Sequence, residues 1–295
     1  MKIHITGGSG YIGQNILKKL NKNYNISFSD IDNANIENLE EIVKLLKYEN
    51  PDLIIHLAGL MGAEKSKEQN NLYKTFLVNS FGFMNVLEAA RLNDVKNIIF
   101  MSSLTVHGAY QNKNQIVDEN SSFNPAHPYS TSKVIGEFIA RDFAQLTNSK
   151  IIILRPTIIT GNLNGENNAM NEFVKSANEN KPIIIFGSGN HEREYIALSD
   201  LINAIDASIK YIELNNDPYL FEEFILSSGK AISMIDLAKK CIELVGNGSI
   251  KFVEKNVQSF SLISNIDKAK KFLNWKPKKD VDEMINEIIN KLTNK

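Results

Sequence analysis

The sequence predicts an α/β protein: a doubly wound parallel sheet covered by helices, with a smaller, interleaved C-terminal lobe. Three observations lead there. Short β-branched runs alternate with longer amphipathic stretches through the first half of the chain. Runs such as "LII", "IIFM" and "IIIL" are continuously apolar, as parallel strands buried on both faces must be. The first run also ends in a glycine-rich turn that opens a helix, the usual start of a βαβ unit.

In order, strands are expected at Lys2–Thr6, Ile26–Ser29, Leu53–His56, Ile98–Met101 and Ile151–Leu154. Helical periodicity fills the gaps at Tyr11–Leu20, Ile36–Tyr48, Leu72–Leu92 and Tyr129–Leu146. Beyond Gly161, "GNLNGENN" reads as a loop and "KPIIIFGSG" as a strand running into a turn. A helix is expected from Ser199, capped by its Ser-Asp start. Another is capped near Ser233 and stopped by Gly246, and "DVDEMINEIINKL" is a terminal helix. No Pro/Gly/Ser linker divides the chain. Residues 1–160, with 190–215 returning to them, are expected to form the nucleotide-binding domain, and 161–295 mainly the substrate-binding lobe. A site between the two falls at the carboxyl edge of the strands.

Composition narrows the partners. The 295 residues carry 33 basic and 34 acidic side chains, a formal net charge of -1, so no global field draws the chain to nucleic acid or an anionic membrane. The single cysteine, Cys241, excludes an internal disulfide and a multi-cysteine metal site; no metal is expected. "MKIHITGG" enters a strand at once without the features of a signal peptide, and the apolar runs are strand-sized, so a cytoplasmic setting is expected.

"ITGGSGYIG" carries the first chemistry. Gly7 permits a tight turn, Gly10 lets backbone approach a pyrophosphate, and Gly13 lets the helix pack on the sheet. The helix N-terminus then offers unpaired N–H groups and partial positive charge to an anion. This is the Rossmann-type arrangement, in which Gly7, Ser9, Gly10, Tyr11 and Ile12 are the candidate cofactor contacts. Asp30, 17 residues beyond Gly13, stands where a carboxylate accepts from an adenosine ribose and favours NAD over its 2′-phosphorylated form. Asp32 competes for that role.

The chain resembles the extended short-chain dehydrogenase/reductases, in particular the NAD-dependent epimerase/dehydratase branch that acts on nucleotide sugars. The resemblance rests on "TGGSGYIG", "PDLIIHLAG", "VNSFGFMNVLEAA", "IIFMSSLTVHG", "PYSTSK", "LRPTIITG", "FGSGNHEREYIALSD" and "DKAKKFLNWKP", in order along nearly the whole sequence. It implies Tyr129 as the proton-transferring residue and Lys133, one helical turn on, as the charge that stabilises its phenolate and holds the nicotinamide ribose. A free tyrosine, with a pKa of roughly 10, needs such help near neutrality. Ser103 corresponds to the hydroxyl that binds the reacting oxygen, with Ser102 as competitor, and Asn79 to a supporting asparagine. Leu57, Ala58, Gly59 and Pro156 join the cofactor set. Thr105 and Arg193 are implied sugar and diphosphate contacts. A homodimer through Leu72–Leu92 and Tyr129–Leu146 is implied as well.

Several positions depart from the branch. Leu104 and Thr105 replace the Asp-Glu pair of the dehydratases, which makes elimination of water unexpected. Met61 replaces a lysine of the 4-epimerases, Ile158 an asparagine near the diphosphate, and His107 a tyrosine, here expected to pack. His56 is read as a strand-end packing residue and Lys276–Lys279 as a solvated basic patch. The function expected is an NAD(P)-dependent epimerase or oxidoreductase of a nucleotide-activated sugar, with hydride transfer at C4. The alternatives are a ketoreductase of a non-nucleotide carbonyl compound and a non-catalytic dinucleotide sensor.

Overall fold

Alternate residues of each central strand fall into opposite cores, and this two-residue period organises the molecule. The computed structural model describes residues 1–61, 69–108, 116–161, 168–254 and 261–293. Six parallel strands form the sheet: β1 (Lys2–Thr6), β2 (Asn25–Ser29), β3 (Leu53–His56), β4 (Asn97–Met101), β6 (Lys150–Pro156) and β10 (Leu220–Leu226). They lie in the order β2-β1-β3-β4-β6-β10. Ile3, Ile5, Leu53, Ile55, Ile99, Ile152 and Leu154 face α1 (Tyr11–Leu20) and α7 (Leu198–Leu214). Ile54, Ile98, Phe100, Ile151 and Ile153 face α2 (Leu39–Glu49), α4 (Phe83–Leu92) and α5 (Pro128–Thr147). The fold class is therefore the expected one, and the order of strands reverses between β1 and β3, where α/β sheets open a crevice.

The long helix expected over Leu72–Leu92 is interrupted. α3 (Gln69–Phe76) passes into a π-helical stretch, Leu77–Gly82, before α4 begins. Such wide turns redirect side chains, and this one contains the buried Asn79. A smaller lobe gathers α6 (Ala169–Asn178), α8 (Met234–Val245) and α10 (Val281–Thr293) around β8 (Pro182–Phe186). β8 pairs in parallel with β12 (Ser249–Val253), while β7 (Ile158–Ile159), β9 (Glu192–Ile196) and β11 (Ala231–Ser233) form a second small sheet. The pair β5 (Ile116–Val117) and β13 (Ile263–Ser264) precedes α9 (Asp267–Phe272). As expected, α8 starts from Ser233, whose hydroxyl accepts from the Asp236 N–H, and stops at Gly246 in the left-handed conformation.

Other elements depart from the expectation. α2 begins at Leu39, because the Asn38 side chain accepts from the N–H groups of Glu40 and Glu41 and sets the end there. α7 is not capped by Ser199: its N-cap is Ala197, and Ser199 lies within the first turn. Asp200 is instead buried and occupied by the C-terminal tail, accepting from the N–H groups of Lys278 and Lys279 at 3.0 Å each. Its carbonyl accepts from Trp275 Nε1 at 3.0 Å. The Lys276–Lys279 stretch is thus docked through its backbone, and the Lys279 ammonium pairs with Glu287. β10 was not expected at all: Glu222 and Glu223 break its apolar pattern, and Lys268 Nζ pairs with Glu222 at 2.7 Å. Residues 162–167 of the expected 161–168 loop lie outside the described residues.

His4 sets an acid limit on stability. Fully buried on β1, its ring nitrogens lie 2.9 Å from Ser27 Oγ and 3.0 Å from Ser29 Oγ, and burial pushes its pKa down to about 4. The unfolded chain binds a proton near pH 6.5 that the folded chain refuses, so stability is complete above that value and falls as pH drops toward 4. This histidine accounts for a loss of roughly 3 kcal/mol at the acid end. Urea midpoints measured from about pH 7 down to about pH 4.5 are expected to fall, and His4→Gln to flatten part of that slope.

Candidate active site

Gly7 follows β1 with a φ of +76°, and its N–H donates to the Ser29 carbonyl at 2.8 Å. A Cβ at Gly7 would stand 2.6 Å from Ala58 N, so glycine is required by both conformation and space. Gly13 is equally constrained, since a Cβ there would come within 2.5 Å of the Gly8 carbonyl oxygen. Gly10 differs: its Cβ would meet only the Gly7 carbonyl, at 3.2 Å. It is also the N-cap of α1 and supplies no side-chain cap, which leaves first-turn N–H groups for an anion. The loop therefore fits a pyrophosphate.

A cavity of about 630 Å³ opens from this loop along the carboxyl ends of the strands. Gly7, Gly10, Tyr11 and Ile12 line it, as do Leu57, Ala58, Gly59 and Pro156. Asp30 lines it too, and its Oδ2 accepts from the Ser9 N–H at 3.1 Å, which ties the loop to the end of β2. Two of the sequence candidates stay off the wall. Ser9 and Asp32 are exposed, and of the two carboxylates after β2 it is Asp30 that faces the cavity.

At the far end, α5 starts with Pro128 in its first turn and a capping box formed by His127 and Ser130. This start places Tyr129 on the cavity wall, with Lys133 below it, its Nζ 5.9 Å from the Tyr129 ring centroid. Lys133 is 4% exposed, and its ammonium donates to the Met101 carbonyl at 2.8 Å. Burial pushes its pKa down to about 8, with the charge of Glu137 opposing the shift. Ser103 caps the short 3₁₀ turn Leu104–His107. Its Oγ accepts from the Thr105 N–H at 3.2 Å and from Thr105 Oγ1 at 2.9 Å. With both lone pairs engaged, Ser103, on the cavity wall, keeps its O–H as a donor. Ser102 is buried and its hydroxyl donates to Glu137, so it is held in the protein.

Arg193 on β9 lines the cavity from the smaller lobe. Its Nη1 donates to the Glu192 carbonyl at 2.9 Å, and burial lowers its pKa. Met61, Leu104, Thr105 and Ile158 also reach the wall, Leu104 from the edge of the buried core. Asn79 clasps the chain after β3. Its Oδ1 accepts from the Leu60 N–H at 2.7 Å, and its Nδ2 donates to the Leu60 carbonyl and to Ser132 Oγ, each at 3.0 Å. His56 is fully buried, 2.7 Å from Thr6 Oγ1 and stacked on Phe83, with its pKa pushed well down by burial first and Lys133 second. His107 is buried as well, 3.3 Å from Arg155 Nη1, its pKa pushed down to about 4 mainly by burial.

The NAD dependent epimerase/dehydratase family matches residues 3–219. The chain belongs to this family. Among its relatives is a putative UDP-glucose 4-epimerase of Methanocaldococcus jannaschii, 28% identical, covering 99% of this chain and 98% of that one. An uncharacterized UDP-glucose epimerase of Bacillus subtilis is 25% identical, with coverage of 98% and 97%. The fold matches that of a mutant UDP-glucuronic acid 4-epimerase from Bacillus cereus, solved in complex with UDP-4-deoxy-4-fluoro-glucuronic acid and NAD. That match has a TM-score of 0.88 at 20% identity, covering 100% of this chain and 99% of the other.

Some residues of this family member's site carried no signal in the sequence. Glu37 and Lys74 line the cavity and pair at 2.6 Å, though they are far apart in the chain and sit in no recognised motif. Glu194, beside Arg193, is buried and accepts from the Ser264 N–H at 3.1 Å and from its hydroxyl, contacts that only the fold brings together.

Two glycine variants separate the loop's shape from its ligand. Gly7→Ala is expected to lose about 2–4 kcal/mol in chemical denaturation, from the positive φ together with the clash at Ala58. Gly10→Ala is expected to stay within about 1 kcal/mol of the parent. A thermal-shift titration with a dinucleotide should nonetheless give a smaller shift in Gly10→Ala than in the parent, because the added methyl crowds the loop beside the Gly7 carbonyl.

Proposed function

We propose that the protein is an NAD-dependent epimerase of a nucleotide-activated sugar, acting by hydride transfer at C4 with Tyr129 as acid and base. The observation that carries this reading is the junction of Tyr129, the buried Lys133 and Ser103 on one wall, in a cavity that begins at an uncapped glycine loop. A dinucleotide sensor needs the loop alone. The relatives named as UDP-glucose epimerases support the sugar class.

Bound NAD supplies the acceptor and donor of hydride. Gly7, Gly10 and the first turn of α1 would hold its pyrophosphate, and Asp30 its adenosine ribose. At the other end, the Tyr129 oxygen takes the proton of the sugar hydroxyl as the ketone forms, and returns it when the hydroxyl is restored. The Lys133 ammonium stabilises the phenolate that takes the proton first and is restored once the proton has been returned. Ser103 donates to the same substrate oxygen, and Arg193 approaches the diphosphate from the smaller lobe. Leu104 and Thr105 put no carboxylic acid beside the sugar, which favours a reaction without loss of water.

Ile158 supports a second reading. Its apolar side chain on the cavity wall offers a diphosphate nothing to hydrogen-bond, which suits a ketoreductase of a non-nucleotide carbonyl compound. Incubation with UDP-, dTDP- and GDP-sugars plus NAD separates the two. The epimerase is expected to convert a sugar to its C4 epimer, seen by proton magnetic resonance, with no net change in reduced-nicotinamide absorbance. Stoichiometric consumption of reduced cofactor by a simple carbonyl, with no thermal shift from any nucleotide sugar, would replace it. Tyr129→Phe is expected to lower kcat by about 10²–10⁴ with the melting temperature unchanged.

We also propose a homodimer through the outer faces of α3, the π-helical stretch, α4 and α5. Tyr73, Phe81, Met84 and Phe138 are exposed there. Exposed large apolar side chains on these neighbouring helices are suited to burial against a second copy. Light scattering is expected to give a mass twice that of the 33.2 kDa chain, and Phe81→Glu to shift it to the monomer.

A further inference from the structure

Among the described residues, three cations line the cavity: Lys74, Lys133 and Arg193. Lys133 is engaged at the end of β4, and Arg193 stands on β9 of the smaller lobe. Lys74 has no part in the chemistry above. It lies in the last turn of α3, and its Nζ donates to Glu37 Oε1 at 2.6 Å. The Glu37 side chain is 15% exposed and that of Lys74 43%.

The backbone explains how two residues so distant in sequence meet. In the sheet, β2 lies on one side of β1 and β3 on the other. Glu37 follows β2 and Lys74 follows β3, so the pair joins elements from opposite flanks of the strand that carries the glycine loop. The Asp30 carbonyl accepts from the N–H groups of Asn33 and Ala34, at 3.1 and 2.9 Å, and the turn this closes brings Glu37 round beside Asp30. Asn35 Oδ1 then accepts from the Glu37 N–H at 3.0 Å. Ile36 packs so closely on Gly82 of the π-helical stretch that a Cβ there would come within 2.8 Å of Ile36 Cδ1. Its carbonyl accepts from Asn85 Nδ2 at 2.9 Å. The π-helical stretch continues directly from α3, so one support holds both partners of the pair.

Stability is a poor reason for this pair. An ion pair with one partner so open to water contributes little to folding, because of screening and the entropy of fixing two long side chains. Its charge matters more to a ligand. Asp30 and Glu37 put two carboxylates on this part of the wall, Ile31 an apolar side chain, and Lys74 an ammonium. A 2′-phosphate on the adenosine ribose would bring roughly two negative charges at neutral pH. An unpaired lysine is a ready partner for it, as a point charge. Lys74 paired with Glu37 offers no net attraction.

We propose that Glu37 is a specificity-determining residue for the cofactor: by holding Lys74 in an ion pair it denies that ammonium to a 2′-phosphate and reinforces the choice of NAD over NADP. The assignment rests on the reading of the cavity as a dinucleotide site with Asp30 at the adenosine ribose. It works by withholding a charge from the wrong ligand, a device separate from the hydrogen bonds that Asp30 would make to the right one.

The test is a set of dissociation constants for NAD and for NADP, measured by calorimetry without substrate on the parent, Glu37→Gln, Lys74→Met and the double variant. The quantity read is the ratio of the NADP constant to the NAD constant, which a merely structural pair would leave alone. The parent is expected to favour NAD. Freeing the ammonium in Glu37→Gln should lower the ratio by about tenfold, the effect of one charge-assisted contact. That gain should shrink at raised salt. Lys74→Met leaves Glu37 unpaired and should raise the ratio severalfold. In the double variant both charges are gone, and the ratio should return to within about twofold of the parent. A parent that favours NADP, an unmoved ratio in folded Glu37→Gln, or a gain that survives in the double variant would overturn the proposal. If Glu37→Gln does not fold, Lys74→Met decides, and an unmoved ratio there overturns it. Ratios that move as expected in a protein that converts no nucleotide sugar would strike the epimerase reading alone. A parent that binds neither dinucleotide would strike both.

Discussion

The crevice between β1 and β3 is the constraint on which the site depends. From β1 the chain moves outward to β2, then returns across the sheet to place β3 on the other side, so the two connections diverge and leave a gap at the carboxyl ends. That gap is narrow at its base: Gly7 and Ala58 approach so closely that no side chain fits between them. Because parallel strands all end on the same edge, the residues that follow β1, β2, β3, β4 and β6 converge there from separate stretches of sequence. The helices then need only the right starting points. Pro128 and the His127 capping box set one, and the uncapped Gly10 sets the other.

Buried ionisable groups around the site are treated in two opposite ways. His4, His56 and His107 are kept neutral mainly by burial, to which the charge of Lys133 adds at His56 and that of Arg155 at His107. Arg155 faces the Glu137 carboxylate instead. The division follows chemistry, since guanidinium cannot shed its charge and must be paired, whereas imidazole near neutrality can simply stay uncharged. The Lys133 charge itself helps keep His56 neutral, so neighbouring groups on β3 and α5 settle into different states without a direct bond between them.

Much of this was legible in the sequence because it is local. Glycines at Gly7, Gly10 and Gly13, apolar runs for five central strands, and the Tyr129–Lys133 spacing each encode their role within a few residues. What was not legible is non-local or disguised. β10 carries Glu222 and Glu223, tolerable because the sheet edge lets them reach Lys268, and this obscures an apolar strand. Ser199-Asp200 has the form of a helix cap, yet the aspartate is taken by backbone almost 80 residues away. Asp32 is as good a ribose carboxylate as Asp30 by spacing, and only the direction of the turn after β2 separates them. Glu137 sits four residues past Lys133, but its partner Arg155 is on another element, and no periodicity joins the two.

The position of β10 has a consequence for how the chain is made. Leu220–Leu226 supplies the last strand of a sheet whose other members are complete by Pro156. While the intervening residues are still being synthesised, β6 presents an open hydrogen-bonding edge, the kind of surface on which chains pair wrongly. Asp200 waits longer still, its carboxylate without its final partners until Lys278 and Lys279 have emerged from the ribosome. The protein therefore cannot be finished from its N-terminus in sequence. The half that carries the glycine loop stays provisional until the segment bearing Lys278 and Lys279 has been added.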